Sequence, residues 1–157
     1  GRTVFISCDV YEAIEAYAAM DTTIERGSIL LGEVFGYEGR RWLVISDYIE
    51  ARYAVEEHAR LTFTHETWNY VHSVLEERHS DLRIVGWQHT HPGYGVFLSG
   101  YDTFIHENFF DRDFQVAYVV DPIADNRGFF RSKDGRIEGL KGFWLFDGVS
   151  VPMDYTE

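Results

Sequence analysis

Residues 84–102 read Ile-Val-Gly-Trp-Gln-His-Thr-His-Pro-Gly-Tyr-Gly-Val-Phe-Leu-Ser-Gly-Tyr-Asp. The apolar run Leu82 to Gln88 predicts a strand leading directly into His89 and His91. Side chains alternate faces along a strand, so histidines at i and i+2 point the same way and can reach one metal ion. Seven residues then precede Ser99 and two more precede Asp102, which returns as a third ligand of suitable chemistry. Two histidines and one carboxylate, with a fourth position left to water, form the open ligand set of a catalytic zinc site. Plain structural readings cover parts of this stretch. Ser99-Gly-Tyr-Asp102 is a capping box that starts a helix at about Tyr101, and His91-Pro-Gly-Tyr-Gly is a turn. Neither explains the pairing with His89, and a helix start would aim Asp102 from its first turn.

Outward from this stretch, extended and helical periodicities alternate. Thr3 to Ser7 predicts a strand, and Asp9 caps a helix over Val10 to Met20 that buries Val10, Ile14, Tyr17 and Ala18. Strands over Ser28 to Tyr37 and Arg41 to Ile49 are joined by a turn at Glu38-Gly39. An irregular segment, Ala51 to Thr62, precedes a helix over Thr64 to Glu77 with Trp68, Val71, Val74 and Leu75 inward. After the motif come a helix over Tyr101 to Phe110 and a strand over Phe114 to Val120 that ends at Asp121-Pro122. Strands over Phe129 to Lys133 and Leu140 to Phe146 are divided by a turn at Lys133-Asp-Gly-Arg136. The expected fold is α/β: one domain over residues 1–157, a mixed sheet flanked by helices.

Composition sets the boundaries. With 45% hydrophobic and 17% aromatic residues in 157, a packed core is expected and disorder is not. A single cysteine, Cys8, excludes an intramolecular disulfide framework and a cysteine zinc cluster, which fits a reducing cytoplasm. No apolar run approaches the length that spans a membrane, and Gly1-Arg-Thr-Val-Phe is no secretory signal. A net charge of −12 argues against a nucleic-acid partner and favours a basic or neutral one.

His58, His65, His72 and His79 recur every seven residues. The last three lie on or at the end of the predicted helix, where that step is a rise of ~10 Å, too far for ligands of one ion, so a solvated or half-buried helix face is the reading rather than a shared ion. His106, four residues after Asp102, is read as a surface or core residue, with support of the metal site as the alternative. A metal hydrolase also needs a carboxylate to carry the proton of the attacking water. Glu25, Glu33 and Glu50 each sit at an edge of a strand expected to pass the site, and spacing alone does not choose among them.

Residues 84–102 closely resemble the active-site segment of the JAMM/MPN+ metalloproteases, through the ligand pattern, the flanking Gly-Trp, Pro-Gly-Tyr-Gly and Leu-Ser-Gly. Val116 to Ile123, Val-Ala-Tyr-Val-Val-Asp-Pro-Ile, resembles the strand that follows in that family. Glu25-Arg-Gly-Ser-Ile-Leu-Leu-Gly32 fits the family's glutamate-bearing segment, with Ser28 where glycine is usual. The resemblance therefore implies Glu25 as the base and one Zn²⁺ held by His89, His91 and Asp102. It implies an α-β-α sandwich with a curved sheet, in a minimal, prokaryotic-type member. It further implies hydrolysis of the isopeptide bond after the C-terminal Gly-Gly of ubiquitin or a ubiquitin-like modifier, with Ser99 donating to the oxyanion. Ala51 to Thr62 sits where family members contact the substrate tail, and a partner subunit is raised because eukaryotic members pair with one. Three alternatives stand beside this reading: a peptidase acting on a sulfur-carrier protein or other peptide, a non-catalytic scaffold module, and a DNA-repair relative. The last usually reads His-Pro-Ser-Gly, unlike His91-Pro-Gly-Tyr-Gly.

Overall fold

A computed structural model of the protein describes residues 2–147 and the backbone of residues 152–156. The elements in order are β1 (Thr3–Ser7), α1 (Cys8–Met20), β2 (Gly27–Tyr37), β3 (Arg40–Glu50), β4 (Val55–Glu56), β5 (Leu61–Thr62) and α2 (His65–Arg78). Then follow β6 (Arg83–Thr90), α3 (Gly100–Phe109), β7 (Val116–Asp121), β8 (Asn126–Lys133), β9 (Arg136–Gly139), β10 (Phe143–Phe146) and β11 (Pro152–Thr156).

Nine strands form one mixed sheet in the order β11-β10-β1-β3-β2-β6-β7-β8-β9. Parallel pairs are β1 with β10, β1 with β3, and β6 with β7. Period-2 alternation divides the core between the sheet's faces. Leu30, Val116 and Tyr118 face one cluster, completed by Val10, Ile14 and Ala18 of α1. Their neighbours Ile29, Leu31 and Ala117 face another with Trp87, completed by Val71 of α2 and Ile105 of α3. The result is the expected α-β-α sandwich. The sheet also curls. In a flat sheet the four strand steps from β1 to β7 would cover ~19 Å, yet Arg2, just before β1, donates to Phe114 O, just before β7, at 3.1 Å.

Both predicted hairpin turns are present, with Glu38-Gly39 and Asp134-Gly135 at positive φ (49° and 78°, 52° and 76°). Those are the paired left-handed conformations that suit a two-residue hairpin. The differences are local. Helix α1 starts at Cys8, with Ser7 as its N-cap, because β1 runs into it without a loop; Asp9 lies in the first turn. There its charge still complements the helix dipole. Strand β9 was not expected: it is short and mostly exposed, lacks an apolar alternation, and owes its order to backbone pairing with β8. Strand β11, pairing with β10, is a second addition. The irregular segment at 51–62 contains the small separate hairpin β4–β5.

Candidate metal centre

Strand β6 carries His89 to near its C-terminal end, where it pairs with Gly27 of β2 and Val119 of β7. The ladder continues past the strand end, since His91 N–H donates to Val120 O at 2.8 Å. Both imidazoles are thus fixed by sheet backbone on the α2/α3 face. Gly27 permits the close approach of β2: a Cβ there would lie 2.4 Å from Gln88 O. Between the histidines, Thr90 Oγ1 accepts Arg26 N–H at 3.0 Å and Thr90 N–H donates to Arg26 O at 3.0 Å. That clip sets the backbone beside Glu25, whose own N–H donates to Glu57 O at 2.7 Å.

Asp102 arrives on α3. The Ser99 side chain accepts Asp102 N–H at 3.1 Å and Asp102 Oδ2 accepts Ser99 N–H at 3.0 Å, closing the capping box the spacing predicts. Asp102 Oδ2 then faces His91 Nε2 at 3.0 Å and His89 Nε2 at 3.2 Å, and the two Nε2 atoms are 3.1 Å apart. Glu25 joins them: one ligand atom from each of Glu25, His89, His91 and Asp102 lies within 4.8 Å of the others, and all four residues are buried. The structure therefore brings Glu25, His89, His91 and Asp102 together, with Ser99 bonded to Asp102 beside them. Among the described residues, Glu33 lies far along β2 in an ion pair with Arg83 at 3.0 Å, and Glu50 stays outside the cluster.

The donor set fits a small divalent cation. A tetrahedral ion with ligand bonds of ~2.0 Å spaces its donor atoms ~3.3 Å apart, close to the triangle of 3.0–3.2 Å formed here. His91 Nδ1 lies 3.0 Å from Gly95 O, and a carbonyl only accepts, so Nδ1 carries the hydrogen. In the neutral ring Nε2 is then a lone pair aimed at a carboxylate oxygen, an arrangement that a cation resolves. Without a metal, protons serve. Burial opposes the charged imidazolium, but the bond and charge of Asp102 outweigh it and hold His91 above its ordinary pKa. Burial likewise works against ionised Asp102, yet its hydrogen bonds to His89 and His91 hold the carboxyl well below the usual range.

Glu25 is placed differently. Burial raises its pKa, partly offset by a hydrogen bond from Tyr94. The Tyr94 hydroxyl donates to Oε2, while Oε1 is buried with no hydrogen-bond partner. Tyr94 is the contributor that sequence reasoning missed, having been absorbed into a turn. Its ring also stacks on His91, with centroids 4.7 Å apart. An aromatic residue between two glycines directly after the ligands was the available signal.

The remaining histidines stay out of the cluster. His106 is buried in the core; its Nδ1 accepts Trp87 Nε1–H at 3.0 Å, and Trp87 in turn stacks on His89 at 4.4 Å. Burial lowers the pKa of His106 to about 4, which keeps the ring neutral as an acceptor. His65 and His72 lie exposed on α2, and His79 caps it. His58 lies in the strap over the site, where its carbonyl accepts the Tyr94 hydroxyl at 3.2 Å. Among the described residues no helix is long and apolar enough to cross a membrane.

Comparison with known proteins points the same way. Residues 1–113 match the family model described as JAB1/Mov34/MPN/PAD-1 ubiquitin protease. COP9 signalosome complex subunit 5 from Eremothecium gossypii is 38% identical over 98 residues, 59% of this chain and 22% of its own length. The same subunit from Candida albicans is 32% identical over 132 residues, 78% of this chain and 19% of its own length. The ubiquitin carboxyl-terminal hydrolase RPN11 of Saccharomyces cerevisiae is 39% identical over 56 residues, 35% of this chain and 18% of its own length. The chain thus spans about a fifth of these relatives. A solution structure of protein DSY2949 from Desulfitobacterium hafniense shares the fold, with a TM-score of 0.66 at 15% identity over 93% of both chains. With the family model matching most of its length around a buried Glu-His-His-Asp cluster, the chain belongs to the JAB1/Mov34/MPN/PAD-1 family.

Proposed function

We propose that the protein is a zinc-dependent isopeptidase that hydrolyses the bond after the C-terminal Gly-Gly of ubiquitin or a ubiquitin-like modifier. The observation that carries this reading is the buried convergence of Glu25, His89, His91 and Asp102. Support also comes from relatives whose names describe ubiquitin hydrolysis. Residues 1–157 form the catalytic domain in this reading, and the cytoplasm is its compartment.

His89, His91 and Asp102 would hold one Zn²⁺, which supplies Lewis-acid activation of the attacking water and the scissile carbonyl. Glu25 takes the proton of that water on its unpartnered Oε1 and delivers it to the departing lysine amine. Its raised pKa suits a group that must first accept a proton and then release it. The Ser99 oxygen is engaged as acceptor of Asp102 N–H, which leaves the hydroxyl hydrogen to donate to the developing oxyanion. The strap at 51–62 is the candidate place for an extended substrate tail, because among the described residues β4 and β5 form a two-stranded sheet of their own, to which a further strand could add.

Glu25→Gln should retain zinc while turnover of a ubiquitin-like fusion falls by orders of magnitude. Near-normal cleavage would remove Glu25 from its role. His89→Ala should lose the metal, as read by elemental analysis. A panel of fusions separates ubiquitin and its relatives from a sulfur-carrier protein as substrate, and protein purified without zinc would favour a scaffold module.

A further inference from the structure

Asp121 is buried at the end of β7, and its carboxylate accepts four backbone N–H groups. Oδ1 accepts from Gly93 at 2.8 Å and from Ile123 and Ala124, each at 3.0 Å. Oδ2 accepts from Gly95 alone, at 3.0 Å. Residues 93–95 thus wrap the carboxylate with two amides, and both glycines need positive φ to do so (85° and 96°). The same three residues reach both halves of the candidate centre. Gly95 O accepts His91 Nδ1–H at 3.0 Å. Tyr94 donates its hydroxyl to Glu25 and stacks on His91.

We infer that Asp121 is the positioning residue that couples the metal ligand His91 to the base Glu25, acting through the Gly93-Tyr94-Gly95 turn. The inference rests on the metalloprotease reading above and goes beyond it. Among the described residues Asp121 has no hydrogen bond to Glu25, His89, His91 or Asp102; its side-chain bonds go to backbone amides of the turn and of residues 123–124. Its carboxylate holds the Tyr94–Gly95 peptide through the Gly95 N–H, one Cα before the Gly95 carbonyl that orients the His91 ring. It also fixes the height of the Tyr94 hydroxyl over Glu25. A carboxylate is required because both oxygens must accept. Asparagine at this place would keep the three bonds to Oδ1 and turn an NH₂ against the Gly95 N–H, donor facing donor.

Asp121→Asn should therefore leave the folded core largely intact and displace the Tyr94–Gly95 peptide, and with it the adjoining Gly95 carbonyl. The expected zinc affinity is about 10- to 100-fold weaker, the usual range for loss of a group that orients a ligand. The visible spectrum of the Co²⁺-loaded variant should shift, since the His91 ring no longer sits squarely; a general loss of stability would not produce that shift. Tyr94→Phe separates the two arms: zinc affinity stays near wild type and kcat falls. If Asp121→Asn does not fold, Gly95→Ala is the second probe. An added Cβ there meets only Phe97 Cδ1 at 3.9 Å, but the φ of 96° is strained for alanine, so the same loss of metal affinity is expected. Wild-type zinc affinity and an unchanged Co²⁺ spectrum in Asp121→Asn, or in Gly95→Ala where that is the variant that folds, would overturn the inference. A wild-type protein that binds no zinc would instead overturn the metalloprotease reading on which it rests.

Discussion

At the scale of single residues, the side chain beside the centre with two compatible tasks is Ser99. Ser99 caps α3 and has a hydroxyl hydrogen left over. Ser99→Ala should destabilise the protein by about 1 kcal/mol through the lost cap and lower turnover by about 10²–10³ through the lost oxyanion donor. Urea denaturation and steady-state kinetics measure the two losses separately. His106 gives a prediction with a definite sign. Unfolded it titrates near its ordinary 6.5, and folded at about 4. Between these values the unfolded chain binds a proton that the folded chain does not, so stability falls as pH drops from 6.5 toward 4. The contribution is about 3 kcal/mol in all. His106→Gln can still accept from Trp87 and carries no titrating ring; its denaturation midpoint should fall less over this window than that of wild type. Equal pH dependence in the two proteins would exclude the assignment.

At the scale of elements, the site sits where β2, β6 and β7 run together and α3 begins. Thr90 joins β2 to β6 one step beyond their last ladder pair. Thr90→Val preserves shape and removes the acceptor of Arg26 N–H, a part-buried donor, at a cost of about 1–3 kcal/mol. Because Arg26 follows Glu25, turnover should drop while zinc content holds; a loss of stability with normal turnover would place Thr90 in the scaffold alone. Elements with strong periodicity were legible in the sequence. The four inward residues of α1 are buried as its 3.6-residue spacing predicts, and both glycine-bearing hairpin turns form. Strand β9 was not legible, because an edge strand that is mostly exposed needs no apolar alternation.

At the scale of the whole molecule, folding and metal binding should be linked. The four cluster residues come from β6 and the residue just past it, from α3, and from the segment before β2, so an unfolded chain offers no such site. Zinc at 100 times its dissociation constant should then stabilise the protein by about 2.7 kcal/mol. Thermal melts with zinc and with a chelator test this, and identical melting temperatures would contradict it. The convergence of His89, His91 and Asp102 was legible because two histidines on one strand and an aspartate at a helix start are local geometries. The base was not chosen by spacing: Glu25, Glu33 and Glu50 stayed equal until a family resemblance singled out Glu25, and the structure then placed it in the cluster. By itself the sequence determined the common face of His89 and His91, the strand that carries them and the helix cap that returns Asp102, since each depends on neighbours within a few residues. The tertiary structure alone decided that Tyr94 would hold Glu25 and that Asp121 would hold the turn beneath both. Those bonds join residues 69 and 26–28 positions apart, and no local preference of the chain encodes a contact that only sheet pairing brings about.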